Sequence, residues 1–349
     1  MINPDLLEKS KKIIEKVKIG SKFLVIPDGS RVDDDCIGSA LAVKWWLKKL
    51  GKKEVKIYVF GVVPEYMKSF PGMDQIENRY IKEVDFNYYD LIFLVDTGDW
   101  DRVLTRDYQK IFTNTPIERF VNIDHHQSGS IQQENPDQTI RAEDICASKV
   151  LFDYLVEPSN VQLDEEGANY FYSSLAGDTG IFKYIKKDTF EFADKLLKAG
   201  ANHIEVTDRI LSVSKDTLDF FNLACEMTNY YPEIKSTALT IDEDRIKVFN
   251  EKINPQWEDN DLLNYYKEMF QRRIQNYDYG IIFRWDPHSK LTRISWRTRN
   301  SGNTIEIMPL LQSLGFKAGG HRNAGGGSTE LKPEEAEEKF VEEMKKKIK

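Results

Sequence analysis

Short, almost wholly apolar runs in the first half of the chain stop on acidic or imidazole residues. Phe23-Leu24-Val25-Ile26 runs into Asp33, Asp34 and Asp35, Leu91-Ile92-Phe93-Leu94-Val95 ends at Asp96, and Phe120-Val121-Asn122-Ile123 ends at Asp124-His125-His126. Runs without polar alternation are read as strands covered on both faces, as in parallel sheets. Val55 to Val59 adds another strand. Between the strands the period becomes helical. Asn3-Pro4 followed by Leu6, Leu7, Ile13, Ile14 and Val17 reads as a capped amphipathic helix before Gly20, and Ile37 to Leu50 as a second, stopped by Gly51. Further helices are predicted near Asp101 to Phe112, Asp144 to Val156 and Leu163 to Leu175. This alternation predicts an α/β fold with a doubly wound parallel sheet, whose ligands sit beyond the carboxyl ends of the strands. Asp178, after Ser174-Leu175-Ala176-Gly177, is a fourth acidic position where an apolar element stops.

From Thr189 to Tyr231 the pattern is helical throughout, and beyond Pro232 strands return. Strands are predicted at Ser236 to Ile241, Ile246 to Phe249, Gly280 to Trp285 and Leu291 to Trp296, with helices around Leu262 to Ile274, Thr304 to Leu314 and Pro333 to Lys347. The expected organisation is a catalytic domain over 1–188, a helical connector over 189–232 and a smaller α/β domain over 233–349. A chain of 349 residues is long enough for two cores.

Composition narrows the function. A net charge of -8 argues against sequence-blind binding to long duplex nucleic acid, which rests on extended positive surface, and leaves short anionic ligands open. Cys36, Cys146 and Cys225 are too scattered for a zinc knuckle or a disulfide framework. No run approaches the roughly 20 apolar residues of a membrane span, so a cytoplasmic protein without a membrane partner is expected.

A single Asp at a strand end is ordinarily a turn former or helix cap. Four acidic or imidazole clusters at one sheet edge instead suggest a cage for divalent cations. Asp96 is the candidate bridge between two ions, Asp33 and Asp35 each serve one, and His125 and Asp178 complete the second set. His126 is placed to contact the reacting phosphate or act as an acid, with Asp124 orienting a neighbouring histidine. In the last third, Ala318-Gly319-Gly320-His321-Arg322-Asn323-Ala324-Gly325-Gly326-Gly327 reads as a loop that brings backbone amides, His321 and Arg322 to an anion. Arg284, Arg293, Arg297 and Arg299 make that region basic, and arginine matches phosphate in a bidentate way.

Together these residues resemble the DHH phosphoesterase family. The resemblance runs through Asp33-Asp34-Asp35-Cys36-Ile37-Gly38-Ser39, Val95-Asp96-Thr97-Gly98-Asp99, Asn122-Ile123-Asp124-His125-His126 and Gly177-Asp178-Thr179-Gly180, and in the last third through Ile294-Ser295-Trp296-Arg297-Thr298 and Gly319-Gly320-His321-Arg322-Asn323-Ala324-Gly325. It looks most like the branch that contains nanoRNases and 3′-phosphoadenosine 5′-phosphate phosphatases. What it implies is a phosphohydrolase using two ions, usually Mn²⁺ with Mg²⁺ or Co²⁺ as alternatives, and an active-site cleft between two domains. It assigns Asp33 and Asp96 to one ion, and Asp35, Asp96, His125 and Asp178 to the other. Arg297, Gly319, Gly320, His321 and Arg322 match positions that hold the substrate's phosphate or terminal nucleotide. Expected partners are short RNA oligonucleotides or small phosphonucleotides; relatives are often homodimers. The chain departs from the family at Gly29, where a histidine normally stands, and the adjacent Asp28 is the candidate replacement. Two rival readings stay open: a cyclic-dinucleotide phosphodiesterase, and a relative of low activity that binds nucleotides.

Overall fold

The computed structural model describes residues 2–30, 32–104, 108–127, 129–253, 262–267, 274–299 and 305–348. The chain divides into two compact units, Met1–Ser212 and Val213–Lys349.

The first unit runs α1 (Pro4–Ile19), β1 (Lys22–Pro27), α2 (Asp34–Lys49), β2 (Glu54–Val59), β3 (Ile76–Asn78), β4 (Leu91–Val95), α3 (Trp100–Leu104), β5 (Phe120–Asp124), α4 (Ser130–Glu134), β6 (Thr139–Arg141), α5 (Ala147–Leu151), α6 (Glu165–Asp178), α7 (Thr189–Lys198) and α8 (His203–Leu211). Its six strands form one parallel sheet in the order β3-β2-β1-β4-β5-β6. Alternate residues of β1 explain the unbroken apolar run: Phe23 and Val25 join a core cluster with α1, α2 and α6, while Leu24 and Ile26 join another with Trp100, Phe86 and Phe120 on the opposite face. Both faces are buried, so neither tolerates polar alternation. The strand order reverses between β1 and β4, and at such a switch point the loops leaving adjacent strands part to form a crevice. Asp33 and Asp96 follow those two strands.

Helices α2 and α6 pack closely because side chains are missing where they meet. A Cβ on Gly38 would lie 2.8 Å from the Tyr170 carbonyl oxygen and 2.9 Å from Ser174 Cβ, and one on Gly177 would lie 2.3 Å from Asp34 Cβ. That approach carries Asp35, on α2, toward Ser174 and Asp178 on α6.

The second unit contains α9 (Lys215–Glu226), β7 (Thr228–Tyr231), β8 (Ser236–Ile241), α10 (Glu243–Lys252), α11 (Leu262–Tyr266), β9 (Tyr279–Asp286), β10 (Leu291–Thr298), α12 (Ile307–Ser313), β11 (Lys317–His321), β12 (Ala324–Thr329) and α13 (Pro333–Ile348). Its sheet is mixed, in the order β11-β12-β10-β9-β8-β7; among the described residues β8 and β9 pair in parallel and the other neighbours antiparallel. One face packs on α12 and α13 through Ile281, Phe283 and Trp296, and the other on α9, α10 and α11 through Leu239, Ile241 and Ile282.

Several elements differ from the sequence reading. Ile246 to Phe249 is helical, inside α10, because Asp242 caps that helix by accepting from the Arg245 amide (2.7 Å) and acidic residues fill the first turn. Thr228–Tyr231 is a strand, drawn into antiparallel pairing with β8. The region from Asp101 to Phe112 is a short helix and a 3₁₀ turn, with residues 105–107 outside the described residues; Trp100 packs there against Tyr108, Phe112 and Phe120. Residues 268–273, within the predicted helix from Leu262 to Ile274, also lie outside the described residues.

The glycine-rich stretch is a hairpin, β11 and β12, hydrogen-bonded onto β10, and not an irregular loop. Gly325 is there because the buried Trp296 indole lies against it: a Cβ would stand 2.1 Å from Cζ2. Gly325→Ala is therefore expected to destabilise the second unit by about 1–3 kcal/mol through overpacking. A urea midpoint equal to that of the parent would show that the indole moves aside. Among the described residues no helix is long and apolar enough to cross a membrane.

Candidate metal centre

Asp33 caps α2, its Oδ1 accepting from the Cys36 amide at 3.1 Å. One turn inward, Asp35 is 1 % exposed and held on several sides. Its Oδ1 accepts from Ser39 Oγ (2.9 Å) and Ser174 Oγ (2.5 Å), and its Oδ2 from the Ala147 amide at the start of α5 (2.7 Å). A carboxylate fixed by so many donors can serve a cation without reorganising. Asp34, between them, faces away. It pairs with the buried Arg209 of α8 at 2.6 Å; burial pushes its carboxyl up to about 6 against the opposing pull of Arg209.

Asp96 follows β4 in the left-handed region, at φ 58, while its amide still donates to the Ile123 carbonyl at 3.0 Å. Such a conformation in a residue other than glycine is uncommon and recurs at functional sites. Its Oδ2 accepts from Cys36 Sγ at 3.0 Å, and its Oδ1 lies 3.3 Å from His125 Nε2. Burial pushes Asp96 well above the usual carboxylate range, and the charge of Asp35 pushes further.

His125 Nδ1 lies 3.2 Å from the Asp144 carbonyl, which can only accept. The proton therefore sits on Nδ1 in the neutral ring, and Nε2 presents its lone pair. Around Nε2 stand Asp96 Oδ1 at 3.3 Å, Asp178 Oδ2 at 3.4 Å and Asp35 Oδ2 at 3.6 Å, from three separate elements. Burial lowers the basicity of His125, but Asp96, Asp35 and Asp178 together outweigh it and bring the group up to about 10. Burial, then Asp35, pushes Asp178 up to about 7; it is the last residue of α6, where the helix dipole also disfavours a negative charge.

These features fit divalent cations. Donors bound to one ion at about 2.0–2.2 Å stand roughly 3.0–3.6 Å apart, which is the spacing around Nε2. Ligand atoms of Asp35, His125 and Asp178 lie within 4.8 Å of one another; so do those of Asp33, Cys36 and Asp96, and those of Asp96, His125 and His126. Asp96 is common to two of these groups. The carboxylate oxygens, an imidazole nitrogen and a thiol are all established donor types.

His126 is 40 % exposed, and its Nδ1 lies 2.7 Å from Oδ1 of Asp124, a fully buried residue. The structure does not bring Asp28 into any of these groups. Its Oδ1 accepts from the Ser30 amide and hydroxyl, and its Oδ2 pairs with Arg102 at 2.6 Å. In the second unit, strand register sets Arg297 opposite Ala324 and Ala324 opposite His321, and in the next row Ser295 opposite Gly326 and Gly326 opposite Gly319. Gly320 lies in the row of Gly325 and Trp296, away from Arg297, and Arg322 is exposed in the hairpin turn. The His321 side chain lies outside the described residues.

Sequence reasoning passed over Cys36, Arg209 and the Ser39–Ser174–Ala147 donors around Asp35. The signal for two was present: Cys36 is three residues after Asp33 and Ser39 four after Asp35, on the same faces of one helix.

Residues 22–175 match the DHH family, N-terminal domain. No curated protein sequence matches the chain. Among solved structures, an exopolyphosphatase-related protein from Bacteroides fragilis is 21% identical, with a TM-score of 0.75 over 98% of this chain and 96% of that one. The exonuclease RecJ bound to manganese is 14% identical, with a TM-score of 0.49 over 100% and 95%. The first of these shows that the α/β fold described above is shared along nearly the full length.

Proposed function

We propose that the chain is a metal-dependent phosphohydrolase that cleaves very short RNA oligonucleotides to 5′-mononucleotides and also takes 3′-phosphoadenosine 5′-phosphate. The observation that carries this reading is the convergence of Asp35, Asp96 and Asp178 on His125 Nε2. The family match over residues 22–175 supports it.

In this reading Asp33 and Asp96 hold one divalent cation, and Asp35, Asp96, His125 and Asp178 hold the other. Bound there, such cations would activate a water and stabilise charge on the phosphoryl oxygens. The protein supplies the rest. The Ser39, Ser174 and Ala147 donors keep the Asp35 carboxylate aimed at its cation. The Asp144 carbonyl keeps the proton of His125 on Nδ1. Asp124 holds His126 by Nδ1 and leaves Nε2 to contact the reacting phosphate or carry a proton to the leaving oxygen. Arg297, Arg322, His321 and the glycine hairpin grip the end of the substrate; the row Ser295–Gly326–Gly319 has almost no side chain standing above it, and a Cβ at Gly319 would meet nothing within 4 Å.

The test offers a diribonucleotide, 3′-phosphoadenosine 5′-phosphate and a cyclic dinucleotide side by side, with Mn²⁺, Mg²⁺ or Co²⁺. The expected result is mononucleotide from the first two. Turnover confined to the cyclic compound overturns the substrate class, and tight binding without product from any of them makes the chain a nucleotide-binding module. His126→Ala is expected to lower kcat about 100-fold with metal content intact; an equal loss of bound metal would make His126 a ligand instead.

A further inference from the structure

The loop from Asp28 to Asp33 carries no imidazole in place of the one missing at Gly29. Its own groups are committed elsewhere: the Gly29 amide donates to the Arg102 carbonyl at 3.2 Å, and Asp28 is engaged by Ser30 and Arg102. That leaves Asp33 and Asp96 as the only two donors the motif resemblance gives to the first cation position.

Cys36 stands in the first turn of α2, three residues beyond Asp33, and is 1 % exposed. Its Sγ is 3.0 Å from Asp96 Oδ2, and the three residues Asp33, Cys36 and Asp96 bring one ligand atom each within 4.8 Å of one another. A second observation points to a ligand here. Asp96 is 5 % exposed and turns its two oxygens to different neighbours, Oδ2 to Cys36 Sγ at 3.0 Å and Oδ1 to His125 Nε2 at 3.3 Å, so one buried carboxylate faces the Cys36 side as well as the His125 side.

We propose that Cys36 Sγ is the third protein donor, beside Asp33 and Asp96, at the first cation position. The proposal rests on the reading of this centre as a two-cation site. Coordination exchanges the S–H bond for a sulfur–metal bond, and the proton passes to the buffer. A thiolate among carboxylates shifts preference from Mg²⁺ and Mn²⁺ toward Zn²⁺ and Co²⁺, a different selectivity from a position built on imidazole and carboxylate.

The experiment titrates the full chain with Co²⁺, following ions bound by calorimetry and the near-ultraviolet thiolate-to-cobalt charge-transfer band by absorbance. Two ions and a band are expected. Cys36→Ser should abolish the band, weaken Co²⁺ or Zn²⁺ at one position by roughly 100-fold, and leave Mn²⁺ binding much less affected; Cys146→Ser should keep the band. Two cobalt ions bound without a charge-transfer band, or a band that survives Cys36→Ser, overturns the role of Cys36 while the metal centre stands. No cobalt bound at all removes the centre itself, and the proposal with it. Because the parent spectrum is informative alone, an unstable Cys36→Ser protein does not spare the proposal.

Discussion

Asp96→Asn is expected to lower kcat by about 10⁴-fold or more if, as proposed, its carboxylate serves both cation positions. The backbone should survive, because asparagine is among the few residues that accept the left-handed conformation found here. The same substitution should have opposite effects on stability with and without metal. A carboxyl raised above its unfolded value of about 3.9 weakens the folded state as pH rises, because unfolding lets it ionise in water. Asparagine removes that burden, so the metal-free variant should melt above the parent at pH 8. It should also lose most of the rise in Tm that Mn²⁺ gives the parent. If Asp96→Asn instead melts lower without metal and retains the full Mn²⁺ response, Asp96 is a structural residue and not a bridge.

Divalent cations should stabilise the chain strongly, and increasingly with pH. Two positions each filled at a hundredfold excess over Kd contribute roughly 5 kcal/mol, about 10–20 °C for a unit of this size. The pH dependence follows from Asp178 and His125. Asp178 titrates near 7 when folded and near about 3.9 when unfolded. Between those values the folded state holds more protons, so stability falls as pH rises. The proton on His125, raised to about 10 from an unfolded value of about 6.5, gives stability that is complete below pH 6.5 and disappears as pH passes 10. Both groups slope the same way. Metal-free protein should thus lose Tm from pH 5 to pH 9, and the gain from added Mn²⁺ should widen over that range. A metal-induced shift that is flat with pH would mean that cations bind away from these two residues.

The parallel sheet and its chemically loaded edge were legible because both depend on local pattern. An apolar run covered on two faces, followed by an acid, marks a strand and its carboxyl end together, and that pattern singles out Asp33, Asp96 and Asp124. Three things were hidden for a common physical reason: they depend on contacts between residues far apart in sequence. Arg209 meets Asp34 across 175 positions (209 − 34). Ser174 reaches Asp35 from another helix. The glycines near the end suggested an anion loop, but Gly325 is explained by the indole of Trp296 on the next strand. Short edge strands such as β3 and β6 were missed as well; three residues carry too little periodicity to read. The departure at Gly29 was visible, and its nearest substitute in sequence, Asp28, is engaged by a side chain more than 70 residues away.

The reversed backbone at Asp96, held to β5 through the Ile123 carbonyl, limits how the gene can change. Successive side chains of a strand point to opposite faces. One codon inserted between Leu91 and Val95 would leave the composition of β4 nearly intact, yet turn the acid after it away from Cys36 and His125 at once. Lineages of this fold should therefore tolerate substitutions in that strand far more readily than changes in its length.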